Sequence, residues 1–414
     1  MIGRWLAGLL IFSLLTACQP SEPATSIRAT IWGDAQDIAQ TQAVGAPTLV
    51  STSEQVYAFW IASDNAGVHM DASTIRLNPR SSFAETTVLP LPVQNPSHLT
   101  AYLGQSSFIH LLWLNMCPIT ETTSNDIRCL FHALITHDLQ VERGPTQITT
   151  VNTRNFSAIA LPNGTLQIAW TGGASPEPNL YKQMIDSFGR PLEAQYIMSQ
   201  ITETAILSSL NTPEIKIYAV SQQGQLIRFT FRDGFRPDTL FLGAVPYQAP
   251  TDILESFQVG SDGNHDYAMW NIHRAGVSPE VWMSAGALQN SWSPPARLQL
   301  TLQDHPVTTG FNGGDAQSAT LSTNENTIHV YAGNFIGSVT DSVPFAALTS
   351  EGIQLIYFSG GEVSAIQAVV DLEYGLFTPH IQTDRTRNLY LAWVESEVNV
   401  QDRLYFATTA ISGS

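Results

Sequence analysis

Lysine is nearly missing from this chain: Lys182 and Lys216 are the two that 414 residues contain. Basic residues number 18 against 35 acidic ones, giving a formal net charge of −17. No basic cluster exists, so a nucleic-acid footprint is excluded. An acidic surface is also repelled by anionic lipid headgroups, so membrane attachment would need a covalent or inserted anchor. Charged residues make up only 13%, too few for long solvent-facing helices with charged outer faces. A hydrophobic share of 43% argues against disorder. Signatures of known chemistry are missing as well: no GxSxG elbow, HExxH, GxxxxGK or CxxC occurs. No cofactor and no metal is expected.

Three cysteines are present, and their places differ. Cys18 follows an apolar run from Trp5 to Leu15 that carries one positive charge ahead of it, Arg4. A stretch this short is a secretory signal rather than a membrane span. Leu15-Thr16-Ala17-Cys18 resembles the bacterial lipobox, which implies cleavage before Cys18 and acylation of its thiol. Residues 1–17 are then a lipoprotein signal peptide and residues 18–26 a polar tether. The resemblance places the chain in the bacterial cell envelope, outside the cytoplasm and held by lipid. Gln19 after the cysteine implies the outer membrane in a diderm. Cys117 and Cys129 form the even remainder, which in an oxidising compartment predicts a disulfide.

From residue 46 the chain repeats itself. A short strand and a turn lead into a second, nearly all-apolar strand that tends to end on Trp. The pairs fall at 47–60, 97–113, 156–170, 205–220, 256–270, 317–331 and 379–393. The fourth is the weakest. From Trp60 to Trp393 the period is about 55 residues, the size of a four-stranded propeller blade. Such a blade cannot cover both of its faces, and stacking on its own copies buries them, which explains why the second strands are not alternating. The expected fold is all-β, a seven-bladed β-propeller of four-stranded antiparallel blades over residues 27–414, with six blades as the alternative. The last unit lacks a fourth strand after residues 403–410. Residues 27–32 (IRATIW) are expected to supply it and close the ring.

The repeat resembles the sialidase-like propellers with Asp-box repeats. The clearest trace is Val281 to Leu300, ending in Ser291-Trp292-Ser293-Pro294-Pro295. Gly286 and Leu288 stand nearest the places where the family's box has Asp and Gly, so the match departs there. Sialidase activity in that family implies three Arg gripping a carboxylate, a Tyr nucleophile with a Glu partner, and an Asp acid/base. The family's Phe/Tyr-Arg-Ile-Pro motif is missing here, and Arg76, Arg154, Arg274 and Arg385 lie in different units.

Trp60, Trp113, Trp170, Trp270 and Trp393 share one repeat position and are expected to fill inter-blade gaps rather than stack on sugars. Residues 262–266 (DGNHD) are expected to form a hairpin turn, because an EF-hand's bidentate Glu and loop length are missing. The ligand candidates are loop residues expected on one face: Asn115, Asn271, His273, Phe311, Asn312, Asp315, Asn334 and Phe335. The function expected is that of a monomeric binding or scaffolding module for a glycan or protein. The alternative is an exo-acting glycoside hydrolase or polysaccharide lyase on the same fold. A third reading, an assembly platform, requires a wide apolar patch.

Overall fold

The computed structural model describes residues 35–409 with gaps, the longest at 298–328; residues 119–126 and 336–342 also fall outside the description. The signal peptide, Cys18, the tether, the strand expected at 27–32, and Phe311, Asn312 and Asp315 lie outside the described residues.

The described chain from residue 35 onward is built of strands, which form seven sheets, each with an antiparallel four-stranded core. In sheet 3, Thr153–Ala160, Leu166–Gly172, Asn179–Ile185 and Gln195–Ser199 follow one another in order. Sheets 2, 4 and 5 repeat this order over residues 97–147, 201–244 and 252–297. Sheet 1 covers 48–89, sheet 6 covers 329–371, and sheet 7 joins three strands between 380 and 408 to Gln36–Thr41, with the two-residue strands Asn334–Phe335 and Gly375–Leu376 added. The arrangement is consistent with a seven-bladed propeller.

Burial peaks in the second strands and falls toward the sheet edges. The second strand of sheet 3, Leu166–Gly172, is buried at every residue, whereas the fourth strand of sheet 4, Asp238–Ala244, is largely exposed. Turns are made where the residues allow them: Gly164, Gly189 and Gly224 take positive φ at hairpin tips.

All five repeat-position tryptophans are buried. Each packs against the preceding sheet. Trp113 joins Tyr57 and Phe59 of sheet 1, Trp170 joins Leu112 and Leu114 of sheet 2, and Trp270 joins Tyr218 and Val220 of sheet 4. Trp393 joins Leu355 and Tyr357 of sheet 6, and Trp60 joins Tyr390, Val394 and Phe406 of sheet 7. Burying one such side chain is worth roughly 4 kcal/mol. The weak fourth unit has Ala219 at this position, opposite Thr204 in the register where Trp170 stands opposite Phe156. Phe229 and Phe231 on the neighbouring strand belong to the same cluster and supply the missing volume.

Two expectations change. The strand that pairs with Asp402–Thr408 is Gln36–Thr41, a few residues beyond the segment expected to do so. In sheet 6, His329–Tyr331 pairs with Val343–Thr349 at the end of the sheet, so it is the first described strand and not the second. The sequence spacing is misleading there because two short apolar strands stand in line. Sheets 1 and 7 meet: Leu49 N donates to His380 Nδ1 at 3.3 Å.

Candidate functional site

Four inner strands share an irregularity near their starts. The register shifts between Ser97 and Thr100 in sheet 2, Thr153 and Asn155 in sheet 3, Ile201 and Glu203 in sheet 4, and Glu255 and Gln258 in sheet 5. His98 and Ser256 take positive φ at two of these bulges. Bulges re-aim side chains and gather next to functional sites.

At this end of sheets 4 and 5 a cleft of about 450 Å³ is lined by Val245, Pro246, Tyr247, Gln248, Asp252 and Arg274. Residues 245–248 follow the last strand of sheet 4, Asp252 opens the inner strand of sheet 5, and Arg274 closes its second strand, directly opposite Asp252. Arg274 is the hub. Its Nε donates to Asp252 Oδ2 at 3.3 Å, Nη1 to Glu280 Oε2 and Nη2 to the carbonyl of Pro246. Asp252 Oδ2 also accepts from the amide of Gln248 at 3.0 Å, and Arg297 meets Glu280 Oε1 at 3.3 Å. All three guanidinium nitrogens are engaged, and Asp252 and Glu280 are both buried against them. Charge-assisted contacts of this kind fix geometry. Burial holds the Tyr247 phenol above its usual pKa; Glu203 and Asp252 push it the same way and Arg154 opposes them.

A second polar cluster lies between the same two sheets, near the turns where their second strands begin. Lys216 Nζ and Tyr218 Oη donate to Asp266 Oδ2 at 2.6 and 2.5 Å. Burial and the Asp266 charge push the Tyr218 phenol well up. Nearby, Asp262 forms the hairpin turn expected for residues 262–266: its Oδ1 accepts from the amides of Asn264 and His265 at 2.8 and 2.6 Å. Among the described residues no group of three His, Cys, Asp or Glu could hold a metal ion.

The described members of the expected ligand set lie on three different sheets. Asn115 lies inside the strand Phe108–Met116, buried, and its Oδ1 accepts from the amide of Gln94 at 2.7 Å. Asn271 and His273 lie in the strand His265–Arg274. Asn271 is fully buried, and its side-chain N and O have no hydrogen-bond partner among the described residues. Asn334 and Phe335 form a short strand paired with the inner strand of sheet 7. Cys117 and Cys129 form the predicted disulfide and join the second and third strands of sheet 2 at the base of their loop. Tyr247, Gln248 and Asp252 escaped sequence reading. Their signal was the Pro-flanked stretch 245–252 (VPYQAPTD) ahead of a first strand.

The trace at 281–300 has a structural basis. Trp292 lies on Gly286, where a Cβ would meet its ring at 2.3 Å. Ser293 ties back to Ala285, donating from its amide at 2.7 Å and accepting at Oγ from the Ala285 amide at 3.0 Å.

Among solved structures, the polysaccharide lyase Uly1 superposes with a TM-score of 0.54 at 10% identity, covering 94% of this chain and 95% of that one. The chain has a β-propeller fold. A Trypanosoma rangeli sialidase is also similar, at TM-score 0.44 and 10% identity over 89% of this chain and 55% of that one. A protein of unknown function from Dyadobacter fermentans matches at TM-score 0.47 and 10% identity, over 77% of this chain and 96% of that one. No family model and no curated protein matches the sequence. At 10% identity the likeness to Uly1 shows the fold alone.

Proposed function

We propose that this chain is a binding module of the bacterial cell envelope: a closed seven-bladed propeller that takes a glycan or protein ligand in the 245–252 cleft. Ring closure is supported by the pairing of Gln36–Thr41 with Asp402–Thr408 and by the packing of sheet 1 on sheet 7. Acylation at Cys18 would hold the body at a membrane, the outer one in a diderm, and the body acts as a monomer.

The observation that carries the binding reading is the state of the cleft's charges. A glycoside hydrolase needs one carboxylic acid and one carboxylate free to meet substrate. Asp252 and Glu280 are instead buried against Arg274, and the lining offers a rigid surface with few free charges. Such a surface suits recognition. A glycan array probed with the full chain, together with the Gln248→Ala variant, tests this. Binding that Gln248→Ala weakens supports the module, and binding by neither protein to any glycan or envelope protein would sink it.

A second reading, a polysaccharide lyase or exo-acting hydrolase, is favoured by the likeness to Uly1. It predicts release of new reducing ends, or of unsaturated ends seen by ultraviolet absorbance, when the chain is incubated with polysaccharides.

A further inference from the structure

We infer that the 245–252 cleft selects an uncharged saccharide and discriminates against sugars that carry a carboxylate. The inference rests on the binding reading above and narrows its ligand class.

An acidic sugar is held by guanidinium groups whose nitrogens face the ligand. Arg274 is the one cation among the described residues that line the cleft, and three of its five N–H donors are committed: to Asp252, to Glu280 and to the Pro246 carbonyl. A carboxylate entering here would lie beside Asp252 and ahead of Glu280, with Arg274 already neutralised by both. Like charges placed together across an interface oppose binding. The whole chain adds to this, at a net charge of −17.

What remains for a ligand is uncharged. Val245, Pro246 and Tyr247 give an apolar wall, and Gln248 is exposed beside it. A glutamine amide offers both donor and acceptor, as sugar hydroxyls do. The Tyr247 phenol, held above its ordinary pKa by burial, stays protonated and can donate. An apolar wall edged by neutral hydrogen-bonding groups matches a pyranose, which has a C–H face and a hydroxyl rim. The volume, about 450 Å³, falls in the small-ligand range of roughly 300–1,000 Å³. The triple tie of Arg274 makes it a positioning residue: it holds Pro246 and Asp252 in place before a ligand arrives.

The test is calorimetric titration of the full chain with cello-, xylo- and manno-oligosaccharides, and in parallel with oligogalacturonate and sialyllactose. At least one neutral series is expected to bind about tenfold tighter than either acidic probe. Its affinity should hold as salt is raised from about 0.05 to 0.5 M. Gln248→Ala, an exposed site that leaves folding intact, should weaken it about fivefold. Tighter binding of an acidic probe that falls with salt and is lost in Arg274→Gln would overturn the ligand class and leave the binding module standing. The wild-type salt dependence alone decides this if Arg274→Gln fails to fold. Binding of none of these probes, neutral or acidic, overturns this inference, while protein ligands on the same face would still support the module.

Discussion

Mild acid should destabilise this protein through His110 and His132. Both rings are fully buried on neighbouring strands of sheet 2, His110 Nδ1 lying 3.0 Å from His132 Nε2. Burial lowers His110 to about 4, although the Gly164 carbonyl and Asp186 pull it back up. Burial, the other ring and Arg143 lower His132 to about 3. In the unfolded chain each ring returns to 6.5. The folded state thus binds fewer protons, and stability rises with pH across this window. It is fully present above 6.5 and is lost as pH falls from there toward about 4 and 3. At about pH 5 the deficit is roughly 1.5 pH units per ring, or about 2 kcal/mol each and about 4 kcal/mol for the pair. That is a large share of a typical stability of about 5–15 kcal/mol. The assay is urea unfolding near pH 7.5 and near pH 5, in the wild type and in His110→Leu/His132→Leu. The double variant should lose about 4 kcal/mol of the acid sensitivity, whatever its own stability. His380, also lowered to about 4 by burial, would account for a remainder of the same sign. If wild type and double variant weaken equally on acidification, the buried-pair reasoning is wrong.

Other consequences can be measured by the same unfolding assay. Reducing Cys117–Cys129, twelve residues apart in sequence, should cost about 3 kcal/mol in the chain-entropy model, and Cys117→Ser/Cys129→Ser should match it without reductant. Trp113→Ala should cost about 3–5 kcal/mol, because the cavity opens between two sheets that cannot collapse together. Asp266→Ala strands a buried lysine and should cost about 3–5 kcal/mol, whereas Asp266→Leu combined with Lys216→Met should recover part of that loss, the Tyr218 hydroxyl still being without its Asp266 acceptor. Gly286→Ala drives a Cβ into the Trp292 ring and should cost about 1–3 kcal/mol with a shift in tryptophan fluorescence; an unchanged spectrum would contradict the contact.

Much of the architecture was legible because it repeats. A strand that must be buried on both faces reads as an unbroken apolar run, and the Trp at its end recurs with the period of the sheet. The disulfide followed from cysteine number and the oxidising compartment that the sequence led us to expect. Legibility failed where the repeat was damaged. Ala219 hides the fourth copy because Phe229 and Phe231 fill its volume from another strand. In the sixth copy the three-residue strand His329–Tyr331 resembles a second strand because it ends on an aromatic residue. Asn115 and Asn271 look like loop residues because they follow an apolar run, yet both strands continue past them.

The sequence by itself determined the all-β class, the sheet period, the inter-sheet tryptophans and the cysteine pairing. These depend on residues close in the chain, or on a pattern every copy repeats, and such signals survive without coordinates. Tertiary structure alone decided which strand covers the edge of residues 402–408, and which charges meet at the cleft. Asp252, Arg274 and Glu280 sit on three successive strands of sheet 5 and Pro246 on the segment leading into it, and their pairing exists only once that sheet has formed. An arginine's chemistry is set by what its nitrogens touch, and that is a property of distance in space, not of spacing along the chain.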